Sequence, residues 1–500
     1  MKLTRKNIVK CGFFPENLPT KVFTSLEISD FFESSILNYD LIANNLKSKK
    51  VENTPCLFIS SHKNDLERRI IAIPHIETYI MLANEFEINI SEIGDILDNN
   101  KNSYSNIIQP SSIEGYNIRS NFFKNYLDRT VFSTGYRYLL KVDLSKCYEN
   151  IYTHSISWAI FGKDASKEEL NKKPNLRNTA YTKADQLDKF VRSINNNETK
   201  GIPTGPISSR IVSEIILSSI DGHLREKGYH FKRYVDDYNF YFRNEVEVYE
   251  FLPHFQNILY EYKMHLNTEK TTIEKYPYQL NSDFTQVLRN HDLMKDSYLK
   301  YLEKAIELHK EGHKGALKYA LKVIGKKKIP DKEKNLVFSH VINIMLTFPN
   351  LSEFIHVMLI NNAFSFDSKI EQTVGDILVH CIRNKYQIET IWLLTIMGCL
   401  KMKIQTEVLC SLIDLFDPLT TILTMDYIFH YKLQRNPDIK IAIDNLKIKL
   451  KREKVYGEKW LLLYEVNRNS WIKGLKVNLN ESVFLKEALI SNVRFFKSPL

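Results

Sequence analysis

The sequence predicts an α+β domain over residues 1–285 followed by an all-α helical-repeat domain over residues 286–500. Three observations carry that expectation. Short runs of β-branched and aromatic residues recur before about residue 285, and two of them run into aspartates. A loop punctuated by glycine and proline lies between those two and leads into an apolar helix. Beyond about residue 285 the strand signals fade, and Leu, Ile and Lys recur at helical spacing between breaks that include Pro330, Pro349, Pro418 and Pro437.

The first strand element is Arg68-Arg69-Ile70-Ile71-Ala72-Ile73-Pro74, with Lys63 just upstream. Its cations are either solvated charges at a strand edge or a clamp for a triphosphate. The second, Tyr138 to Val142, delivers Asp143, and Tyr148 follows five positions later. Next comes Lys200-Gly201-Ile202-Pro203-Thr204-Gly205-Pro206-Ile207-Ser208-Ser209-Arg210, leading into an apolar helix from Ile211 to Ile220. Gly205 permits close backbone approach, so a base pair or triphosphate can rest against the loop, and the helix N-terminus favours phosphate. An ordinary strand-to-helix turn has the same appearance.

Tyr234-Val235-Asp236-Asp237 sets two acids between strand-forming residues and reads as a β-hairpin with carboxylates at its tip. Asp also favours turns for its own backbone hydrogen bonds, so the pair alone is equally a plain turn. Asp143 changes the balance, because two divalent cations about 3.5–4 Å apart need carboxylates from at least two backbone segments. Mg²⁺ suits such a site, being bound through a few carboxylates plus substrate phosphates. Asp143 and Asp236 would bridge two ions, the Leu144 carbonyl would complete one shell, and Asp237 would sit nearby with a weaker hold. Tyr148 is then either a core aromatic or a floor beneath the incoming sugar, where it would collide with a ribose 2′-hydroxyl and select deoxynucleotides.

The order of these elements, closed by Leu266-Asn267-Thr268-Glu269-Lys270-Thr271, resembles the palm of the reverse transcriptases over about residues 55 to 280. Asp143 matches the acid of the first palm motif, Tyr148 its aromatic gate, Tyr234 to Asp237 the Tyr-x-Asp-Asp box, Lys270 the lysine of the following motif, and Arg69 the fingers arginine that meets the nucleotide. One departure stands out. Thr204 replaces the glutamine usual in the glycine motif, which puts template-directed copying in doubt while leaving the metal chemistry intact. The wording Tyr148-Glu149-Asn150-Ile151-Tyr152-Thr153-His154-Ser155 and Trp158-Ala159-Ile160-Phe161-Gly162-Lys163 is similar to abortive-infection reverse transcriptases of the AbiK type and their prophage-borne relatives. That resemblance implies phage defence, DNA synthesis without a template primed from a tyrosine of the protein itself, a homo-oligomeric assembly, and a C-terminal HEAT-like helical domain in place of a conventional thumb.

Composition agrees. The 500 residues, 43% hydrophobic and 26% charged, are enough for two or more domains with a large core. A net charge of +10 favours a polyanionic partner, although the 69 basic residues are spread widely. The six cysteines include no Cys-x-x-Cys pair, which points away from a zinc site or disulfide framework and toward a reducing cytosol. No secretory signal is legible near Lys2, Arg5 and Lys6, and the run from Ile391 to Leu400 is far shorter than the roughly 20 residues a membrane span needs, so it reads as a buried helix. The Lys-dense stretch Lys447 to Lys454 is either a DNA contact or a solvated helix face.

The expectation is therefore a palm-and-fingers polymerase with catalytic Asp143, Asp236 and Asp237, and with Arg69, Tyr148, Gly205 and Lys270 around the nucleotide. It would use two Mg²⁺ ions and dNTPs in the cytoplasm, without a membrane, to make single-stranded DNA attached to the protein. The rivals are a conventional RNA-templated reverse transcriptase and a non-catalytic nucleic-acid-binding scaffold. Sequence does not name the priming tyrosine, the preferred base, the number of subunits, the viral trigger or the route from DNA to defence.

Overall fold

A computed structural model describes residues 3–34, 38–64, 66–105, 122–278, 280, 283–290, 297–362, 364, 366–475 and 478–500. Strands β1 (Leu57–His62) and β2 (Arg68–Ile73) pair antiparallel as a separate ribbon. Strands β3 (Tyr138–Asp143), β4 (Phe231–Tyr234), β5 (Asp237–Phe242) and β6 (Thr272–Lys275) form an antiparallel sheet in the order β4-β5-β3-β6.

Alternation along the strands decides what each face of this sheet carries. Tyr238, Phe240 and Phe242 of β5 point to one face, where Phe251 and Phe255 of the helix Glu245–Glu261 pack against them. Val142 and Leu140 pair with Tyr238 and Phe240 and so share that side. Asp143 pairs with Asp237, one step out of phase, and both therefore face the opposite, open side. A slip of one residue would bury the two acids among phenylalanines.

The glycine loop leads into a longer helix than the sequence indicated, Ile207–Glu226, capped at its start by Pro206. Thr204 O accepts from Ala72 N at 2.8 Å, tying the loop to β2. Gly205 has φ +131°, and a Cβ there would stand 2.7 Å from Pro15 Cγ and 3.1 Å from Ala72 O. The close approach made at Gly205 is thus between the loop, the N-terminal segment and the ribbon.

From Tyr298 onward the described residues are helices that stack in two layers. Helix Tyr298–Lys310 packs on Ala316–Ile324 and on Asp331–Thr347; Ala316–Ile324 packs in turn on Ser352–Asn361, and Asp331–Thr347 on Ser368–Arg383. The stripe Val374, Ile377, Leu378 and Cys381 is the buried face of the last of these. Pro418 and Pro437 occupy the first helical position of Pro418–His430 and Pro437–Leu450, where a missing N–H costs nothing, so these prolines open helices rather than merely separate them. The run Ile391 to Leu400 lies mostly within Gln387–Cys399, a helix buried on nearly all sides. Of the Lys447–Lys454 stretch only the first part is helical; Lys447 Nζ donates to Lys473 O, and Lys449 stands 3.7 Å from Asp414. The expected division at 285/286 falls inside the helix Asp283–Arg289, which packs on the two helices that follow it.

The chain's two ends meet. Thr24 N donates to Phe495 O at 3.0 Å and Lys497 N to Val22 O at 2.8 Å, with Phe23 and Phe496 facing each other across the bridge. No described helix is long and apolar enough to cross a membrane.

Candidate active site

The acid-bearing end of β3 and the β4–β5 hairpin form one wall of a cavity of about 790 Å³. The ribbon supplies Arg69, the β3 end Asp143 and Leu144, the short helix Cys147–Asn150 Tyr148, the loop Gly205, the β4–β5 hairpin Asp236 and Asp237, and the segment after Leu266 supplies Lys270. All eight residues singled out from the sequence line this one space. Arg68 does not join them: its guanidinium grips Glu389 at 2.7 Å and lies over the Tyr386 ring, 4.3 Å from the centroid. The strand alternation that turns Arg69 to the cavity turns Arg68 to the helical region. Lys63 lines the cavity but is paired with Glu67 at 2.7 Å.

The hairpin turns on two residues, Val235 and Asp236, since Tyr234 still pairs with Asp237. Val235 has φ +56°, a conformation β-branched residues avoid. It is held from both sides. Its N–H donates to Ser105 Oγ, and its carbonyl accepts from Arg233 Nη1 at 2.8 Å. Arg233 is fully buried and forms two parallel hydrogen bonds to Glu214, both 2.9 Å, while its Nε and Nη2 reach Asp221 at 2.9 and 2.6 Å. Tyr238 OH donates to the other Asp221 oxygen at 2.9 Å. Glu214 and Asp221 lie seven residues apart, two turns along one face of the helix Ile207–Glu226, so the network bolts the hairpin to the helix that follows the glycine loop. This cluster was missed in the sequence, although two signals were present: acids at that spacing on an otherwise apolar helix face, and a charge at an inward position of β4.

Electrostatics at the tip are those of crowded acids. Desolvation, then the charges of Asp236 and Asp143, push the Asp237 carboxyl up to about 7, even though part of its side chain reaches solvent. Asp236 is raised by burial first and by Asp143 next, with Arg69 and Lys270 opposing. Asp143 Oδ2 accepts from Lys270 Nζ and Asn267 Nδ2, each at 3.0 Å, and that bond holds Lys270 protonated above its usual range. Leu144 pairs with Leu266 in a bridge whose hydrogen bonds are made by its neighbours, Ser145 N to His265 O and Asn267 N to Asp143 O. Its own carbonyl is therefore directed away from that segment.

Among the described residues no group of three His, Cys, Asp or Glu side chains stands gathered to hold a metal ion. Lys270 and Asn267 instead engage Asp143. The donor set nonetheless fits divalent cations. Seven acidic and five basic side chains line the cavity, so a triphosphate would meet an excess of negative charge unless cations came with it. Arg210 lines the same space, and its buried Nε has no hydrogen-bond partner among the described residues, as a site awaiting an anion would leave it.

Solved structures similar to this chain include apo telomerase from Candida tropicalis, at 11% identity and TM-score 0.32, covering 72% of this chain and 70% of that one. Another is telomerase from Candida albicans in complex with a fragment of telomeric RNA, at 13% identity and TM-score 0.30, covering 76% and 68%. No curated protein matches the chain. Residues 88–302 match the reverse transcriptase (RNA-dependent DNA polymerase) family, and the three acids, the glycine loop, Tyr148 and Lys270 all lie within the matched segment.

Proposed function

We propose that this chain is a reverse-transcriptase-type DNA polymerase of phage defence that extends DNA without a template from a tyrosine of its own. The observation that carries the polymerase reading is the convergence of Asp143 from β3, and Asp236 and Asp237 from the β4–β5 hairpin, with Arg69 and Lys270 on one cavity. Asp143, Asp236 and the Leu144 carbonyl would hold two Mg²⁺ ions, with Asp237 nearby. When bound, such ions activate the attacking hydroxyl and steady the departing pyrophosphate.

The chain's own residues do the rest. Arg69 and Arg210 meet the triphosphate. Lys270 must release Asp143 to take part, and its raised pKa keeps it charged, so it can offset phosphate charge or donate a proton to the leaving group. Tyr148, held close to the acids, would meet the sugar's 2′ position. The untemplated, protein-primed and defensive parts of the reading, together with the homo-oligomer and the HEAT-like character of the helical region, rest on the resemblance to AbiK-type proteins and on Thr204 in the glycine motif.

The test is to incubate purified protein with Mg²⁺ and labelled dNTPs, with and without RNA template and primer, and to separate denatured products before and after protease. Label that migrates with the polypeptide and is freed by protease, with no template added, is the expected result. Label that requires primer and template would instead establish conventional reverse transcription.

A further inference from the structure

The cavity at the acids shares Asn17 and Lys63 with a second cavity of about 320 Å³, set between the turn of the β1–β2 ribbon and the helical region. The chemistry changes across that shared edge. Lys314, Lys318 and His309 line the second space. Its two acids are muted: Glu389 is held by Arg68 at 2.7 Å, and burial pushes Glu353 up to about 7. Half-buried Phe348 stands edge-on to His309 at 4.9 Å between ring centroids, and Lys318 Nζ lies 5.2 Å from the centre of the Phe354 ring. A wall that alternates cations with aromatic rings suits an unpaired nucleotide, whose phosphate and base it can meet separately. Its volume is that of a small-ligand site, too narrow for a duplex.

We propose that this groove receives nucleotide units of the single strand whose growing end lies at the acids, with phosphates met by Lys314 and Lys318 and a base stacked at Phe348. The inference rests on the polymerase reading for the identity of that strand. Lys314 and Lys318 are exposed, so replacing both removes no buried side chain.

The test measures binding of a fluorescein-labelled oligo(dT) to the full chain by anisotropy across a salt series, alongside product length. In Lys314→Ala/Lys318→Ala the slope of log affinity against log salt should shrink by about 1.4, two phosphates at roughly 0.7 each for a single strand, and products should shorten while attachment of the first nucleotide persists. Phe348→Leu should weaken binding several-fold with the slope unchanged. Unchanged slope and product length in the lysine variant would overturn the proposal, as would weakened binding of labelled dTTP with oligo(dT) binding intact, which marks a mononucleotide pocket. If the wild type makes no DNA yet the slope shrinks as stated, the polymerase reading fails and the groove stands.

Discussion

Val235 occupies a left-handed conformation that costs a β-branched residue of the order of 1–3 kcal/mol, and Arg233 repays that by holding its carbonyl at 2.8 Å. Arg233 itself is tolerated in the core because Glu214 and Asp221 surround it. Arg233→Met leaves Glu214 and Asp221 buried without their counter-charge, with only Tyr238 and Asn100 still donating to Asp221, and an equilibrium melt should show about 3–5 kcal/mol lost, with Asp236 displaced and activity reduced. A variant as stable as wild type would show that the network does not hold the turn. The Tyr234–Asp237 box was legible because its information is local, two acids between strand-formers. Arg233 sits beside it, yet its partners lie 12 and 19 residues back on another element, and no local pattern names them as partners.

The site is assembled by elements brought edge to edge. The glycine loop touches the ribbon through Thr204 and Ala72, and Gly205 leaves room for Pro15. Gly205→Ala combines a left-handed backbone with a 2.7 Å contact, so thermal unfolding should show about 1–3 kcal/mol lost, and nucleotide affinity should fall as Arg69 moves with β2. Unaltered stability would mean that the loop and ribbon are not packed as described. The strand that delivers Asp143 was legible as the apolar run Tyr138 to Val142, whereas the face Asp143 takes follows only from its pairing with Asp237. The grip of Glu389 on Arg68 was illegible, because adjacent arginines look alike until the strand's two faces are given different neighbours.

Over the whole molecule, the helical region closes onto the first 100 residues. Glu77 is fully buried, accepting from Ser482 Oγ and Phe484 N at 2.9 Å and from Tyr456 OH at 2.8 Å, all some 400 residues away. Trp392 Nε1 donates to Asn17 O at 2.8 Å. Residues 1–285 alone would expose this seam and should lack a cooperative melt; a soluble fragment with a sharp transition would contradict the seam's importance. Two buried histidines lie along it, His75 beside Tyr456 and Trp460, and His356 beside Trp392. Burial lowers His75 to about 3 and His356 to about 4 from the usual 6.5. Both are neutral in the fold and take up protons when it opens, so their contribution is present above pH 6.5 and is lost as pH falls from 6.5 through about 4 for His356 and about 3 for His75. The melting temperature should drop over that range, with a shallower drop in His356→Gln; parallel curves would count against it. None of these long-range partners is readable from sequence order, since each depends on how the helical layers curl back.

The central claim is that the three acids on the open face of the sheet carry out nucleotidyl transfer. It is tested most directly by the rate at which labelled dNTP is incorporated, across a Mg²⁺ titration, by wild type and by Asp236→Asn. Wild type should show Mg²⁺-dependent incorporation, and Asp236→Asn should lose at least about a thousandfold, roughly 4 kcal/mol of transition-state stabilisation, while melting no lower than wild type. Incorporation by Asp236→Asn at the wild-type rate would contradict the account.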